Sequence, residues 1–218
     1  MKAMLMRVLF SMMFITLAAA QGFSQNAVPK PTPQQKTNVR PAAEAPAEPF
    51  DKADAATMAS KCVQLDTEAG LIEIELFPES APESVRNFLN LTALGLFDTT
   101  TFSRVVPDFV IQGGNLWTRD AGIEKYGKRA NRKVPDEPSK IKHERGIVSL
   151  ARSDEPNSAT ANFFILVEAA PHLDGTFAAF GRVTKGMDVV DAINKAPVTG
   201  ETPDKPVRIK KASVIECQ

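Results

Sequence analysis

The chain has 218 residues, 26 basic and 26 acidic, and a formal net charge of zero. A neutral whole supplies no field to draw in nucleic acid or an anionic membrane surface, which excludes binding classes that rest on one. Its two histidines, His143 and His172, stand at metal-ligand spacing neither with each other nor with the two cysteines.

Lys2 and Arg7 precede an apolar run from Val8 to Ala20 that ends in small residues, Ala18-Ala19-Ala20, of the kind a signal peptidase accepts. Residues 1–20 therefore read as an export signal, because the run falls short of the about 20 apolar residues a membrane-spanning helix needs. An uncleaved anchor is the alternative, and no cysteine follows the run to carry a lipid. Residues 21–60 are rich in Pro, Ala, Gln and Glu and nearly free of large apolar side chains. Such a stretch cannot bury enough surface to offset chain entropy, so it reads as a flexible tether, serving as a spacer or as a proline-rich ligand.

Residues 61–218 suit one domain with a core. Lys61 to Asp66 and Gly70 to Phe77 predict a strand pair, since Ile72, Ile74 and Leu76 alternate with Glu73 and Glu75. Ser80-Ala81-Pro82-Glu83 has capping-box spacing, and Val85, Phe88, Leu89 and Ala93 predict a helix that Gly95 ends. Strands return at Thr101 to Val106 and Phe109 to Gln112, broken at Pro107-Asp108. Arg104 sits inside this apolar stretch, and a guanidinium that cannot shed its charge needs a partner or a task there; a binding groove is expected. It shares strand parity with Phe102 and Val106, but the proline break leaves its relation to Gln112 open.

Leu116 to Glu137 reads as a charged surface excursion. Its Lys125, Lys128, Arg129, Arg132 and Lys133 are expected to be a solvated loop rather than a nucleic-acid patch. Gly146 to Ala151, Phe163 to Val167, Phe177 to Val183 and Val207 to Cys217 predict strands, and Lys185 to Lys195 a second helix. About eight strands without helix alternation argue for a mainly β, antiparallel barrel.

For chemistry, no G-x-S-x-G is present, Gly113-Gly114 lacks the spacing of a phosphate cradle, and His143 in KHERG reads as a solvated residue before a strand. An arginine, amides and phenylalanines remain, a set suited to holding peptide groups. Cys62 and Cys217 lie at the two ends of the domain, where an exported protein permits a disulfide; two free thiols are the alternative.

FSRVVPDFVIQGGN, followed by GIVSLAR, NFFILV, HLDG and FAAFGRV, resembles the cyclophilin family of peptidyl-prolyl cis-trans isomerases, in order and over nearly all of Lys61 to Gln218. ELFPESAPESVRNF is similar to the family's second strand and first helix, and the likeness is to exported, periplasmic bacterial members. The resemblance implies a closed eight-stranded antiparallel barrel with two capping helices and a groove on its outer face. It further implies rotation of X–Pro bonds in exported proteins, without a cofactor, by a monomer. Its partners would be proline-containing polypeptides, not nucleic acid, and no membrane insertion would remain once the signal is removed.

By the same resemblance Arg104 is the catalytic arginine and Gln112 the amide that holds substrate backbone. Phe109, Val110, Phe164 and Leu173 line a proline pocket, and Ala151 and Arg152 form a strip that pairs with peptide main chain. Asn162 stands where glutamine is usual, His172 where many members have tryptophan, and Phe177 where many have histidine. Residues 151–162 run one residue longer than the commonest pattern. A shorter Asn162 shifts its contact or routes it through water. His172 should weaken cyclosporin-type ligands, and Phe177 becomes another apolar wall. A non-catalytic peptide-binding or chaperone module is the rival reading, with an envelope protein attached through the tether as a third.

Overall fold

The computed structural model describes residues 47–217, so the expected export signal and the tether up to residue 46 lie outside the described residues. Ahead of residue 61 the chain already has structure. Helix α1 (Ala55–Ala59) is capped by Asp54, whose Oδ1 accepts the Thr57 N–H at 2.8 Å. Met58 is buried and Phe50 packs against the core. Arg86 donates through Nη1 to the carbonyls of Phe50 and Ala53, at 2.6 and 2.7 Å. Two large apolar side chains in a polar stretch are enough to pull its end onto the domain.

In chain order there follow β1 (Lys61–Thr67), β2 (Gly70–Leu76), α2 (Pro82–Ala93), β3 (Arg104–Val106), β4 (Val110–Gly113) and α3 (Gly127–Ala130). Then come β5 (Ile147–Leu150), β6 (Phe163–Leu166), β7 (Ala179–Lys185), α4 (Met187–Asn194), β8 (Val198–Thr199), β9 (Thr202–Pro203) and β10 (Ile209–Glu216). Eight strands form one curled antiparallel sheet in the order β10-β1-β2-β7-β5-β6-β4-β3, and β8 and β9 make a separate hairpin.

The sheet does not close into the expected barrel: β10 and β3 are its edges. Across the seam, Phe102 donates to Val207 at 2.9 Å, Thr99 to Ile209 and Ile209 to Thr100 at 2.8 Å, but only Thr101 and Arg208 bridge. Thr99 at φ 61° breaks the extended backbone, and Pro206 has no N–H to give a ladder, so strand pairing stops short of closure.

The expected helix forms as α2, but its cap is not the predicted box. Ser80 donates its N–H to Phe77 in a turn, and the N-cap is Ala81, which offers no side-chain acceptor. Glu137 from the distant excursion takes that role, accepting from the N–H groups of Glu83 and Ser84 at 2.9 and 2.8 Å and from Ser84 Oγ at 2.6 Å. Glu137→Ala is expected to cost about 1–2 kcal/mol of unfolding free energy, as loss of a cap and of an anion at a helix N-terminus. Urea unfolding checks this; an unchanged midpoint would contradict the cap. The far end of α2 follows the sequence: Gly95 (φ 65°) turns the chain, and Leu96 donates back to Leu91 at 2.9 Å.

Inside the curl lies an aromatic cluster, with Phe88 of α2 4.9 Å from Phe180 and 5.2 Å from both Phe97 and Phe163, centroid to centroid. The apolar run of β6 is buried on both faces. Phe163 and Ile165 join this inner core, while Phe164 and Leu166 join a second cluster with Val110, Ile147 and Leu173. That second cluster carries the site.

The 116–137 excursion is packed rather than merely solvated, because Leu116, Ile123, Ala130 and Val134 are buried and α3 turns Arg129 onto Glu48 and Asn87. Cys62 and Cys217 form a disulfide with Cα atoms 5.0 Å apart, next to the antiparallel pairing of β1 and β10.

Candidate active site

Arg104 enters β3 directly opposite Gln112 of β4, which resolves the register hidden by the proline break. The break is a tight turn with Asp108 at φ 56°. Asn194, buried at the end of α4, secures it: Oδ1 accepts the Asp108 N–H at 3.0 Å, and Nδ2 donates to the carbonyls of Val106 and Val110 at 2.9 and 3.1 Å. Arg104, Phe109 and Gln112 therefore stand on one braced hairpin.

These three meet Ala151 and Arg152 beyond β5, Phe164 of β6, and Leu173 and Phe177 around a cavity of about 150 Å³, with Val110 in its floor. Leu173 ends a short 3₁₀ turn, Pro171–Leu173. Phe164 and Phe177 pack edge to face at 5.9 Å, and the Arg152 guanidinium lies 4.9 Å over the Phe177 ring. Phe177 is thus an apolar wall, as the substitution suggests. The cavity is apolar except where Arg104, Gln112 and Arg152 border it, the pattern of a site that grips a small ring and orients the polar group beside it.

Two expected residues stand outside this lining. His172 is exposed, its ring 5.7 Å from that of Phe109, so it backs the wall instead of forming it. Asn162 borders a second cavity of about 200 Å³ with Gly114 and Trp117. The Asn162 carbonyl also accepts the Ala151 N–H at 2.9 Å, so that N–H is used within the fold and is not free for a peptide. The β5–β6 pairing simply continues past Leu150 and Phe163.

Arg104 is partly exposed, and its charge is answered at once. Nε donates to Glu201 Oε2 at 2.6 Å, Nη2 to Glu201 Oε1 at 3.2 Å, and Nη1 to Gln112 Oε1 at 3.2 Å. The guanidinium holds the Glu201 carboxyl below its ordinary range, first through the hydrogen bonds and then through its field. Glu201 lies 97 residues from Arg104 in a hairpin turn, and no local pattern announces it.

His143, expected to be solvated, is buried. Its Nδ1 lies 3.2 Å from Asp174 Oδ1 and its Nε2 3.1 Å from Ser149 Oγ, and its backbone N–H donates to Asp174 Oδ1 at 2.8 Å. Ser149 is buried too, so this chain of polar groups reaches no substrate; it ties the turn carrying Leu173 to β5. Burial pushes the His143 imidazole below its ordinary range, outweighing the opposing pull of Asp174. The backbone N–H of His143, then Lys142, hold the Asp174 carboxyl at about 2.

Both shifts mean that the unfolded chain binds more protons, so stability must fall as pH falls. The His143 contribution is lost below the ordinary histidine range near 6.5, and the Asp174 contribution is lost from near 3.8 down through about 2. Thermal unfolding should show two descending steps, and His143→Gln should flatten the upper one. A melting temperature constant from pH 7 to 5 would contradict the assignment.

Comparison with known proteins accords with this geometry. The family model for cyclophilin type peptidyl-prolyl cis-trans isomerases matches residues 62–214. The chain is 36% identical over 178 residues to peptidyl-prolyl cis-trans isomerase A of Dickeya dadantii, covering 77% of this chain and 90% of that one. It is 38% identical over 158 residues to isomerase cypE of Dictyostelium discoideum, covering 72% and 99%. Among solved structures, a cyclophilin-type isomerase of Cryptosporidium parvum crystallised in the presence of the dipeptide Ala-Pro aligns with a TM-score of 0.62 and 26% identity, over 72% of this chain and 99% of that one. The family match spans residues 62–214, and the alignments cover 90% and 99% of those two relatives: the chain is a member of the cyclophilin-type peptidyl-prolyl cis-trans isomerase family.

Proposed function

We propose that this protein catalyses cis–trans rotation of X–Pro bonds in polypeptides by gripping the prolyl ring in the cavity beside Arg104. The observation that carries this reading is the juxtaposition of one oriented guanidinium with an apolar cavity of about 150 Å³. Rotation of a peptide bond meets a barrier of about 18–20 kcal/mol because the nitrogen lone pair is delocalised into the carbonyl. In the twisted state that lone pair is localised and accepts a hydrogen bond. A donor aimed at it stabilises the transition state more than either planar isomer.

Phe109, Phe164 and Leu173 would hold the ring and exclude water, which strengthens the bond from Arg104. Gln112, opposite Arg104, would hold substrate backbone. No step transfers a proton, so the rate should be level across neutral pH. The reading is tested with a protease-coupled assay on a proline tetrapeptide: catalysis that scales with enzyme concentration is expected. A protein that binds the peptide without accelerating its isomerisation would be the non-catalytic module instead.

The clients we propose are exported proteins that need help in folding, met as a monomer. The Cys62–Cys217 disulfide supports an oxidising compartment, and the expected signal at residues 1–20 supports delivery there, most simply the bacterial periplasm.

A further inference from the structure

We infer that Glu201 is a positioning residue for the isomerase reaction, clamping the Arg104 guanidinium so that its remaining N–H groups stay aimed into the prolyl cavity. The inference rests on the reading of Arg104 given above and adds a residue that neither the cavity lining nor the sequence motifs contain.

An arginine at a half-open site has many rotamers, and its default is to extend into water. Here the guanidinium is held along one edge, Nε and Nη2 each on one oxygen of the Glu201 carboxylate, and Nη1 is held by Gln112. A guanidinium has five N–H donors. Three are engaged, leaving one on Nη1 and one on Nη2 for a substrate without breaking the clamp. Two carboxylate bonds to a planar fork fix its plane as well as its place, which a single neutral acceptor does not.

The carboxylate is itself well placed. It sits in the two-residue turn of the β8–β9 hairpin, where Gly200 takes φ 65°, and strand residues pair as Val198 with Pro203 and Thr199 with Thr202. The Glu201 carbonyl accepts the N–H of Val105, the residue after Arg104, at 2.8 Å. Thr199 Oγ1 donates to Asp204 at 2.8 Å and stiffens the hairpin. Backbone and side chain of Glu201 therefore grip neighbouring residues of β3, so the hairpin and the arginine move together. The Glu201 carboxylate bonds the charged Arg104 on β3, which in turn bonds the neutral Gln112 on β4, and Asp204 of the same hairpin is engaged by Thr199.

The test compares wild type, Glu201→Gln, Glu201→Ala, Arg104→Ala and the Arg104→Ala/Glu201→Ala double variant, with exchange NMR on a proline peptide. Glu201→Ala should lower kcat/KM by about tenfold, carried by kcat with KM nearly unchanged, because the cavity still binds the ring while the donor loses its aim. In the Arg104→Ala background the same change should have no effect, since there is nothing left to position. Wild-type activity should decline in acid as Glu201 protonates, and that limb should be absent from Glu201→Gln. If Arg104→Ala shows its large loss and Glu201→Ala matches wild type, the positioning role is overturned while the isomerase reading stands. If Arg104→Ala itself matches wild type, both fall. Equal losses from Glu201→Ala in either background would make Glu201 a stability residue and likewise overturn the role.

Discussion

Arg104→Ala is expected to lower kcat/KM for X–Pro isomerisation by about 10²–10³, equivalent to about 3–4 kcal/mol, the loss typical of one transition-state donor. A rate gain of about 10⁵ needs about 7 kcal/mol, so the donor supplies roughly half and the rest falls to the apolar cavity. The loss should lie in kcat, because planar ground states leave the prolyl nitrogen without an accepting lone pair and gain little from Arg104. Arg104→Lys should recover only part of it. An ammonium is a point charge and cannot hold both oxygens of Glu201 and Gln112 while still presenting a fixed donor. Activity of Arg104→Ala within a factor of about two of wild type would remove the donor from the mechanism.

Reducing Cys62–Cys217, or replacing both cysteines by serine, is expected to lower the unfolding free energy by about 2–5 kcal/mol. The bond spans 155 residues of sequence, almost the whole domain, and the chain-entropy account puts its upper limit at about 5 kcal/mol. The native state should change little, because β1 and β10 are already paired from Lys61–Glu216 to Thr67–Ile209 and Cys217 donates its N–H to Ser60 at 3.0 Å. The effect therefore acts on the unfolded chain, which gains freedom when its ends are released. Urea unfolding with and without reductant measures it: a lower midpoint and a larger m-value are expected for the reduced protein. Coincident curves would contradict it.

What was legible in the sequence was what local pattern carries. LIEIELF alternates and is a strand half-buried against the core; the run from Phe163 to Leu166 is apolar throughout because both of its faces are covered. Arg104 among apolar neighbours pointed to a partner or a task, and the structure supplies the partner in Glu201. What was not legible depends on contacts between distant segments. Ser80 and Glu83 have capping-box spacing, yet the turn from Phe77 leaves Ala81 at the cap and Glu137 reaches in from elsewhere. His143 looks like a loop histidine, and only the fold brings Asp174 and Ser149 to its two nitrogens. Closure of the sheet failed for a comparable reason: eight strands can be counted from pattern, but whether the edge strands β3 and β10 meet depends on single residues such as Thr99 and Pro206 at the seam.

The cavity was legible through motif resemblance, since nine of the expected site residues do line it. Its supports were not. Asn194 bracing the Arg104 hairpin and Glu201 clamping the guanidinium sit 86 and 97 residues from what they hold.

Exchange NMR on a proline-containing peptide, with substoichiometric enzyme, tests the central claim most directly because it reads rotation without a coupling protease. The account predicts that wild type accelerates interconversion of the cis and trans signals and that Arg104→Ala leaves binding shifts in place but accelerates interconversion about 10²–10³-fold less. Equal acceleration by both proteins, or binding shifts without acceleration in wild type, would contradict it.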